Sequence, residues 1–309
     1  MNKPIIALVM MAPVGSPLFA ADNYTYLALG DSVPFGMNIT LVPPYSEQPI
    51  TPGEFIGYPE TVAAVERVSE LNAACPGETS GSFLNITPAY LEASPDNGCN
   101  SPHVELPGEA GYNPIILPPF KTTVGLHTDY TVAQMDFAVS QLQANKDINL
   151  VALQIGANDI LLLLPALEQC GTDTTCAEGI LGPVLETYGG NLATILTGIR
   201  AVYQGKLILM TYYSPTPALD TVATALNGAM TQVAGELNAK PGFAPITIAD
   251  GYTAFQIASA PFNHDACQAG LLIKLPPSPY DLSPCDVHPS PLGRNLLAVL
   301  VVIAAPPTH

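Results

Sequence analysis

Short apolar runs alternate with longer amphipathic stretches along this chain. Runs at residues 24–29, 149–155, 206–213 and 246–250 have the length and composition of buried strands. A further strand is expected near residues 68–73, which lead into Cys75-Pro76-Gly77. Apolar residues at helical spacing fill residues 131–142, 181–203, 218–239 and 296–305. Apolar strands that alternate with helices are typical of a parallel sheet covered on both faces. The pattern therefore predicts an α/β fold with a mostly parallel sheet of about five strands.

Two stretches interrupt this pattern. Residues 37–57 and 80–127 are rich in Pro, Gly and polar side chains and have little periodicity. Loops of this length commonly shape a binding site. We interpret both as long insertions on one domain that comprises residues 22–309, a length that can bury a full core.

The N-terminal segment, residues 1–21, has the pattern of a secretory signal peptide. Lys3 is followed by an apolar run and then by small residues before Asp22. The apolar run is shorter than the roughly 20 residues that a membrane span requires, and so is the run at 296–305. The sequence thus predicts a secreted or periplasmic protein without an integral membrane span. A buried N-terminal strand or helix is the alternative.

Composition limits the possible partners. The chain carries 26 acidic and 9 basic side chains, a formal charge of −17. Such a surface repels phosphate backbones, so we expect no nucleic-acid partner, and an anionic membrane surface is disfavoured for the same reason. Hydrophobic residues make up 48% and charged residues 11%, which excludes an intrinsically disordered chain.

The six cysteines agree with export. They are Cys75, Cys99, Cys170, Cys176, Cys267 and Cys285. No C-x-x-C occurs and no histidine has zinc-site spacing, so no metal site is predicted. An even number favours disulfides in an oxidising compartment over six thiols in a reducing one. Among the possible pairings we favour the three between nearest neighbours: Cys75–Cys99, Cys170–Cys176 and Cys267–Cys285.

Polar, turn-forming clusters follow three of the predicted strands. They are residues 30–32 (Gly-Asp-Ser), 77–79 (Gly-Glu-Thr) and 156–159 (Gly-Ala-Asn-Asp). In open parallel sheets, ligands bind at the carboxyl ends of the strands. The clusters therefore indicate a binding site at that edge.

The residue types suit acyl transfer from an ester. That reaction needs a hydroxyl nucleophile, an imidazole that takes its proton, and hydrogen-bond donors for the oxyanion. Ser32, His288, Gly77 and Asn158 could supply these groups. Each residue alone has a plainer interpretation: a helix cap, a structural histidine, a turn and a second helix cap.

In combination, these residues resemble the conserved blocks of the SGNH, or GDSL, hydrolase superfamily. Residues 30–32 resemble block I, and residues 72–79 look like block II as found in secreted bacterial members. Residues 156–159 match block III, and Asp-Val-His-Pro at 286–289 with Gly293 is similar to block V. The blocks occur in the family's order and span Gly30 to Gly293, almost the whole mature chain.

This resemblance implies a flavodoxin-like three-layer α/β/α sandwich and an esterase or lipase mechanism without a cofactor. It implies that Ser32 is the nucleophile and the first oxyanion donor, through its N–H. Gly77 N–H and the Asn158 side chain would complete the oxyanion hole, and His288 would be the base. No G-x-S-x-G occurs, so the α/β-hydrolase alternative lacks its main signature.

The sequence departs from the family at the residue that orients the histidine. The family often has Asp three positions before the catalytic His, but Cys285 stands there and Asp286 lies two before. Either the Asp286 carboxylate or a backbone carbonyl near Cys285 would orient His288. His264 is a rival base, but it lacks the following Pro and helix.

The substrate is defined only as a class. An Ile-Leu run at residues 160–164 follows Asn158-Asp159, and we expect Leu161 or Leu162 to line an acyl pocket; a buried helix start is the alternative. The expected function is hydrolysis of small-molecule or lipid carboxylic esters of short to medium acyl chains. The alternatives are a carbohydrate O-deacetylase, a phospholipid or lipid esterase, and a secreted binding module that has lost catalysis. The oligomeric state stays open.

Overall fold

The computed structural model describes residues 25–42, 45–46, 50–85, 99, 103–105, 115–117, 119–277 and 284–305. The predicted signal peptide lies outside the described residues. Within them, no helix is both long enough and apolar enough to cross a bilayer.

The strands occur in the following order along the chain: β1 (Tyr26–Gly30), β2 (Glu70–Asn72), β3 (His103–Glu105), β4 (Ile115–Leu117), β5 (Leu150–Gln154), β6 (Lys206–Met210), β7 (Ile246–Ala249), β8 (Leu272–Lys274) and β9 (Cys285–Pro289).

The central sheet is parallel and has the order β2-β1-β5-β6-β7. Counted by position in the chain, this is 2-1-3-4-5, the flavodoxin-like order. All five predicted strands are confirmed, each within a few residues of its predicted bounds. The strand order reverses between β1 and β5, and ligands bind at such a switch point in doubly wound sheets.

The helices are α1 (Ser32–Phe35), α2 (Tyr58–Glu66), α3 (Ser80–Phe83), α4 (Phe120–Thr123), α5 (Gln134–Ala144), α6 (Ala157–Leu161), α7 (Leu164–Cys170), α8 (Thr174–Val202), α9 (Asp220–Asn238), α10 (Gly251–Ser259) and α11 (Pro291–Ala304).

Helices cover both faces of the central sheet. On one face α11 packs against α2 and α10, and on the other α8 packs against α5 and α9. Strands β1 and β5, at the centre of the sheet, are buried along their whole length, as both-face coverage requires. The three-layer α/β/α architecture predicted from the sequence is confirmed.

Some predicted bounds were wrong. Helix α8 begins at Thr174 rather than at 181, because the Asp173 side chain caps its first turn by accepting a hydrogen bond from Cys176 N–H (3.1 Å). The helix continues without interruption through Pro183. The stretch at 80–127 is not entirely loop, since it contains α3, α4 and an antiparallel pair formed by β3 and β4.

A second antiparallel pair, β8 with β9, lies outside the central sheet. This β8–β9 hairpin was not predicted. The three predicted disulfides are present as Cys75–Cys99, Cys170–Cys176 and Cys267–Cys285. The last one ties the start of β9 to the turn that follows α10.

Candidate active site

Ser32 begins α1, directly after β1 ends at the switch point of the sheet. Gly30 has φ +132°, and a Cβ there would lie 1.9 Å from the Gln154 carbonyl oxygen, so the turn requires glycine. The Asp31 side chain caps α1 by accepting a hydrogen bond from Val33 N–H (3.0 Å). The result is a sharp turn that presents the half-buried Ser32 hydroxyl.

His288 lies on β9, and its ring reaches the Ser32 hydroxyl. The distance between Nε2 of His288 and Oγ of Ser32 is 2.8 Å. The two residues are 256 positions apart in sequence, so the hairpin brings them together only in the folded chain.

Asp286 contacts the other nitrogen of the same ring. Its Oδ2 lies 2.7 Å from Nδ1 of His288, and its Oδ1 accepts a hydrogen bond from Val287 N–H (2.7 Å). The side chains of His288 and Asp286 are only 12% and 8% exposed. Of the two arrangements left open by the sequence, the geometry matches the carboxylate.

The ion pair sets the protonation of both groups. Burial favours neutral imidazole, but the Asp286 carboxylate outweighs it and raises the pKa of His288 above 6.5. Burial likewise favours neutral Asp286, yet the His288 ring and backbone N–H groups lower the pKa of that carboxyl below its usual value. Asp286 is therefore ionised at neutral pH and stabilises imidazolium.

Gly77 and Asn158 lie on neighbouring segments at the same sheet edge. Gly77 has φ +78° in the turn after β2, and this segment is tied to β1 because Cys75 N–H donates to the Gly30 carbonyl (3.0 Å). Asn158 is in the first turn of α6, and its Nδ2 donates to the Glu78 carbonyl (2.9 Å). An amide NH₂ has two donors, so one can hold Glu78 while the other faces a ligand.

Two buried acidic side chains hold these segments in place. Asp159 accepts hydrogen bonds from the N–H (2.8 Å) and hydroxyl (2.6 Å) of Ser80. Glu78 accepts from the Ser82 hydroxyl (2.5 Å) and from Nε2 of Gln134 (3.0 Å). Asp159 and Glu78 are fully buried, and each needs these partners to offset the loss of water.

Asp31 is another buried carboxyl group, and its charge acts on His288. It also accepts a hydrogen bond from the Tyr212 hydroxyl. Burial raises the pKa of Asp31 to about 6, although the Tyr212 hydroxyl and Val33 N–H act in the opposite direction.

An apolar cleft opens beside Ser32 and His288. Its free space is about 620 Å³ when the open solvent at the mouth is included. One wall comes from the α6–α7 segment and the opposite wall from the start of α9. The wall residues are Ile160, Leu161, Leu164, Leu219, Val222, Ala223 and Leu226.

The structure separates the remaining candidates. Leu161 lies in the cleft wall, whereas Leu162 does not: it follows the last residue of α6 and is 36% exposed. The expectation for Leu162 is therefore corrected. His264 is exposed, and its Nδ1 lies 3.1 Å from the Gln256 carbonyl oxygen, away from Ser32.

Among the described residues, one group has the spacing of metal ligands: Cys75, Glu78 and Cys99. The two sulfurs are joined in a disulfide, so neither is a thiolate that could bind a metal.

Sequence reasoning missed Tyr212, Gln134 and the wall formed by α9. Tyr212 is in a predicted strand, and nothing in the pattern marks its partner Asp31, 181 positions away. Gln134 did carry a signal, because it occupies the buried stripe of α5 with Phe137 and Ala138. A polar residue at such a position needs a specific partner.

No protein-family model and no curated protein matches this chain. Solved structures do match. The lipase Lip_vut3 from a goat rumen metagenome is 17% identical, with a TM-score of 0.50 over 90% of this chain and 96% of that one. Phospholipase A1 from Streptomyces albidoflavus NA297 is 16% identical, with a TM-score of 0.50 over 92% and 99%.

At 16–17% sequence identity, the similarity between this chain and the two enzymes is a similarity of fold. This chain has the three-layer α/β/α fold of those two lipolytic enzymes along almost their whole length. The fold that the SGNH-type blocks imply is therefore confirmed.

Proposed function

We propose that this protein is a secreted serine ester hydrolase of the SGNH type that acts on uncharged carboxylic esters of short to medium acyl chains. One observation carries the proposal: hydrogen bonds connect Asp286 to His288 and His288 to Ser32, and Ser32 lies in the wall of an open apolar cleft. The matching fold of two lipolytic enzymes supports it.

The reaction follows from these positions. His288 takes the proton of Ser32 as Oγ attacks the ester carbonyl, and Asp286 stabilises the imidazolium that forms. The N–H groups of Ser32 and Gly77 and the amide of Asn158 bind the oxyanion. His288 then protonates the leaving alcohol, and water hydrolyses the acyl-enzyme by the same route.

The cleft favours an acyl chain over a bare acetyl group. Its walls are aliphatic, and burying each methylene of a substrate contributes about 0.8 kcal/mol. A formal charge of −17 disfavours anionic headgroups, so neutral esters are preferred over anionic phospholipids. Export rests on the signal pattern at residues 1–21 and on the three disulfides, which form in oxidising compartments.

The test is a panel of aryl esters from acetyl to palmitoyl, run beside acetylated xylan and a neutral and an anionic phospholipid. We expect the highest kcat/KM for short to medium acyl chains and organophosphate labelling of wild type but not of Ser32→Ala. Turnover of acetylated xylan alone would indicate a deacetylase. Neither turnover nor labelling would indicate a binding module and refute the proposal.

A substitution in the cleft tests the acyl assignment. Ala223 is buried in the wall, whereas Thr221 is exposed on the same helix. Ala223→Phe should lower kcat/KM for octanoyl relative to acetyl esters by about tenfold, because it fills the space of the chain. Thr221→Phe should leave this ratio unchanged. Equal ratios in the two variants would show that the acyl chain binds elsewhere.

A further inference from the structure

Gln134 joins two segments that the proposed reaction uses: the nucleophile turn (residues 30–32) and the oxyanion loop (residues 73–79). Its Oε1 accepts a hydrogen bond from Gly30 N–H (2.6 Å), and its Nε2 donates to the Gly30 carbonyl (3.0 Å). The same Nε2 donates to Oε2 of Glu78 (3.0 Å). Gln134 is fully buried, and it is 104 positions from Gly30.

These contacts reach each of the three proposed oxyanion donors. Gly30 lies two residues before Ser32, and Glu78 directly follows Gly77. The carbonyl of Glu78 in turn holds the Asn158 amide (2.9 Å). From one buried side chain, short connections therefore lead to Ser32 N–H, Gly77 N–H and the Asn158 side chain.

Only an amide meets the requirements of this position. It must accept from one backbone N–H while it donates to a carbonyl and to a carboxylate. A glutamate would lack the donors and would oppose the Glu78 carboxylate, and a methionine of similar length would lack both functions.

We infer that Gln134 is a positioning residue that sets the distance between the nucleophile and the oxyanion donors. This inference rests on the proposed function. Oxyanion donors stabilise the transition state only when they are aimed in advance at the developing charge, and small displacements are costly. Gln134 does not touch the substrate; it acts through Gly30 and Glu78.

The first experiment compares Gln134→Met with Gln154→Met. Gln154 is also fully buried at this edge of the sheet, but its side chain donates only to the Thr211 carbonyl (3.2 Å). Gln134→Met should lower kcat by about 10- to 100-fold with little change in KM, because the loss is confined to the transition state. Gln154→Met should lower kcat far less. The pH profile of Gln134→Met should keep the wild-type midpoint, since Asp286 and His288 are unchanged in this variant.

Hydrogen exchange gives a measurement that does not depend on turnover. In Gln134→Met, amides in the nucleophile turn and the oxyanion loop should exchange about tenfold faster, and in Gln154→Met they should not. Equal exchange and equal kcat in the two variants would overturn the inference. A wild type that hydrolyses no ester would overturn the proposed function instead, while the exchange rates would still decide the role of Gln134.

A double variant in which Gln134 and Glu78 exchange their side chains distinguishes a positioning role from poor folding. Gln134→Glu alone should be at least as damaging as Gln134→Met, because two buried carboxylates would then face each other. Adding Glu78→Gln restores a hydrogen bond of reversed direction, and the Gly30 carbonyl keeps its bond from Cys75 N–H. We expect kcat to recover about tenfold in the double variant. If the loss of kcat in the double variant equals the product of the losses in the two single variants, the coupling between Gln134 and Glu78 is refuted.

Discussion

The oxyanion side of the candidate site (Gly77 and Asn158) and its histidine side (Asp286 and His288) are held by different means. The oxyanion side follows two strands of the central sheet. Beneath it lies a network of buried polar side chains, each at most 2% exposed: Glu78, Ser80, Ser82, Gln134 and Asp159.

The histidine side lies on β9, which among the described strands pairs with β8 and not with the central sheet. The Cys267–Cys285 disulfide fixes the start of this strand, and the Tyr213 hydroxyl donates a hydrogen bond to the Val287 carbonyl (2.7 Å). Just after the strand, the Ser290 hydroxyl donates to the Gly270 carbonyl (2.6 Å). One half of the site is thus held by a network of buried side chains, and the other by a hairpin with a disulfide and local hydrogen bonds. We therefore expect the loss of a disulfide to be buffered on the first side, where the network of buried side chains remains, and not on the second.

The largest effect should come from the contact that joins the two sides. Ser32→Ala and His288→Ala should each lower kcat/KM by about 10⁴- to 10⁶-fold, and the double variant should be little worse, because the two residues act as one unit. Steady-state kinetics on an aryl ester provide the measurement. Losses that multiply in the double variant would show that the two residues work independently.

Asp286→Asn should be the next most damaging change. It removes the carboxylate 2.7 Å from Nδ1, which in a Ser-His-Asp triad costs about 10⁴-fold in kcat. Because Asp286 raises the pKa of His288, and the base must be neutral, wild-type kcat/KM should rise with pH through a midpoint above 6.5. In the variant that midpoint should move to lower pH.

A loss below tenfold in a folded Asp286→Asn variant, checked by circular dichroism, would contradict the carboxylate role. An unmoved midpoint would contradict the electrostatic coupling.

Asn158→Ala should be milder. It removes one oxyanion donor, which typically costs about 10²- to 10³-fold in kcat, and KM should change little. Asn238→Ala is the matched control, because Asn238 also holds backbone groups, those of Ile246, but at the far end of α9. If both variants lost kcat equally, the Asn158 amide would have only a structural role.

The smallest effects should come from the disulfides, and these test the comparison directly. Replacing Cys267 and Cys285 by Ala, or Cys75 and Cys99 by Ala, should each destabilise the fold by about 2–4 kcal/mol. Activity should fall further in the first variant, since the network that includes Glu78 still holds the oxyanion loop in the second. Urea unfolding and kcat separate these effects. A greater loss of activity without Cys75–Cys99 would reverse the comparison.

The sequence predicted most of the central sheet because four of its strands are largely apolar runs, and the burial of such runs depends on local composition. Strand β8 gave no such signal: it has three residues, one of them Lys274, and it pairs with β9 outside the central sheet. Helix α3 gave no apolar signal either. It is a single turn, and Asp159 accepts hydrogen bonds from the N–H and the hydroxyl of its first residue, Ser80.

For the site, the motifs indicated which residues to examine but not how they are held. Asp286 stayed ambiguous because its distance from His288 depends on the conformation of β9. The partners of Gln134 and Tyr212 lie 104 and 181 positions away, beyond any periodicity. Leu162 was misassigned because a leucine run does not reveal where a helix ends.

The wide separation of Ser32 and His288 also has a consequence for synthesis. The nucleophile is translated early and the base 256 residues later, so a chain interrupted before β9 carries Ser32 without any group to activate it. Under the proposed function, a nascent or truncated chain that lacks β9 therefore has no base for its nucleophile, and activity begins only when the β8–β9 hairpin has docked.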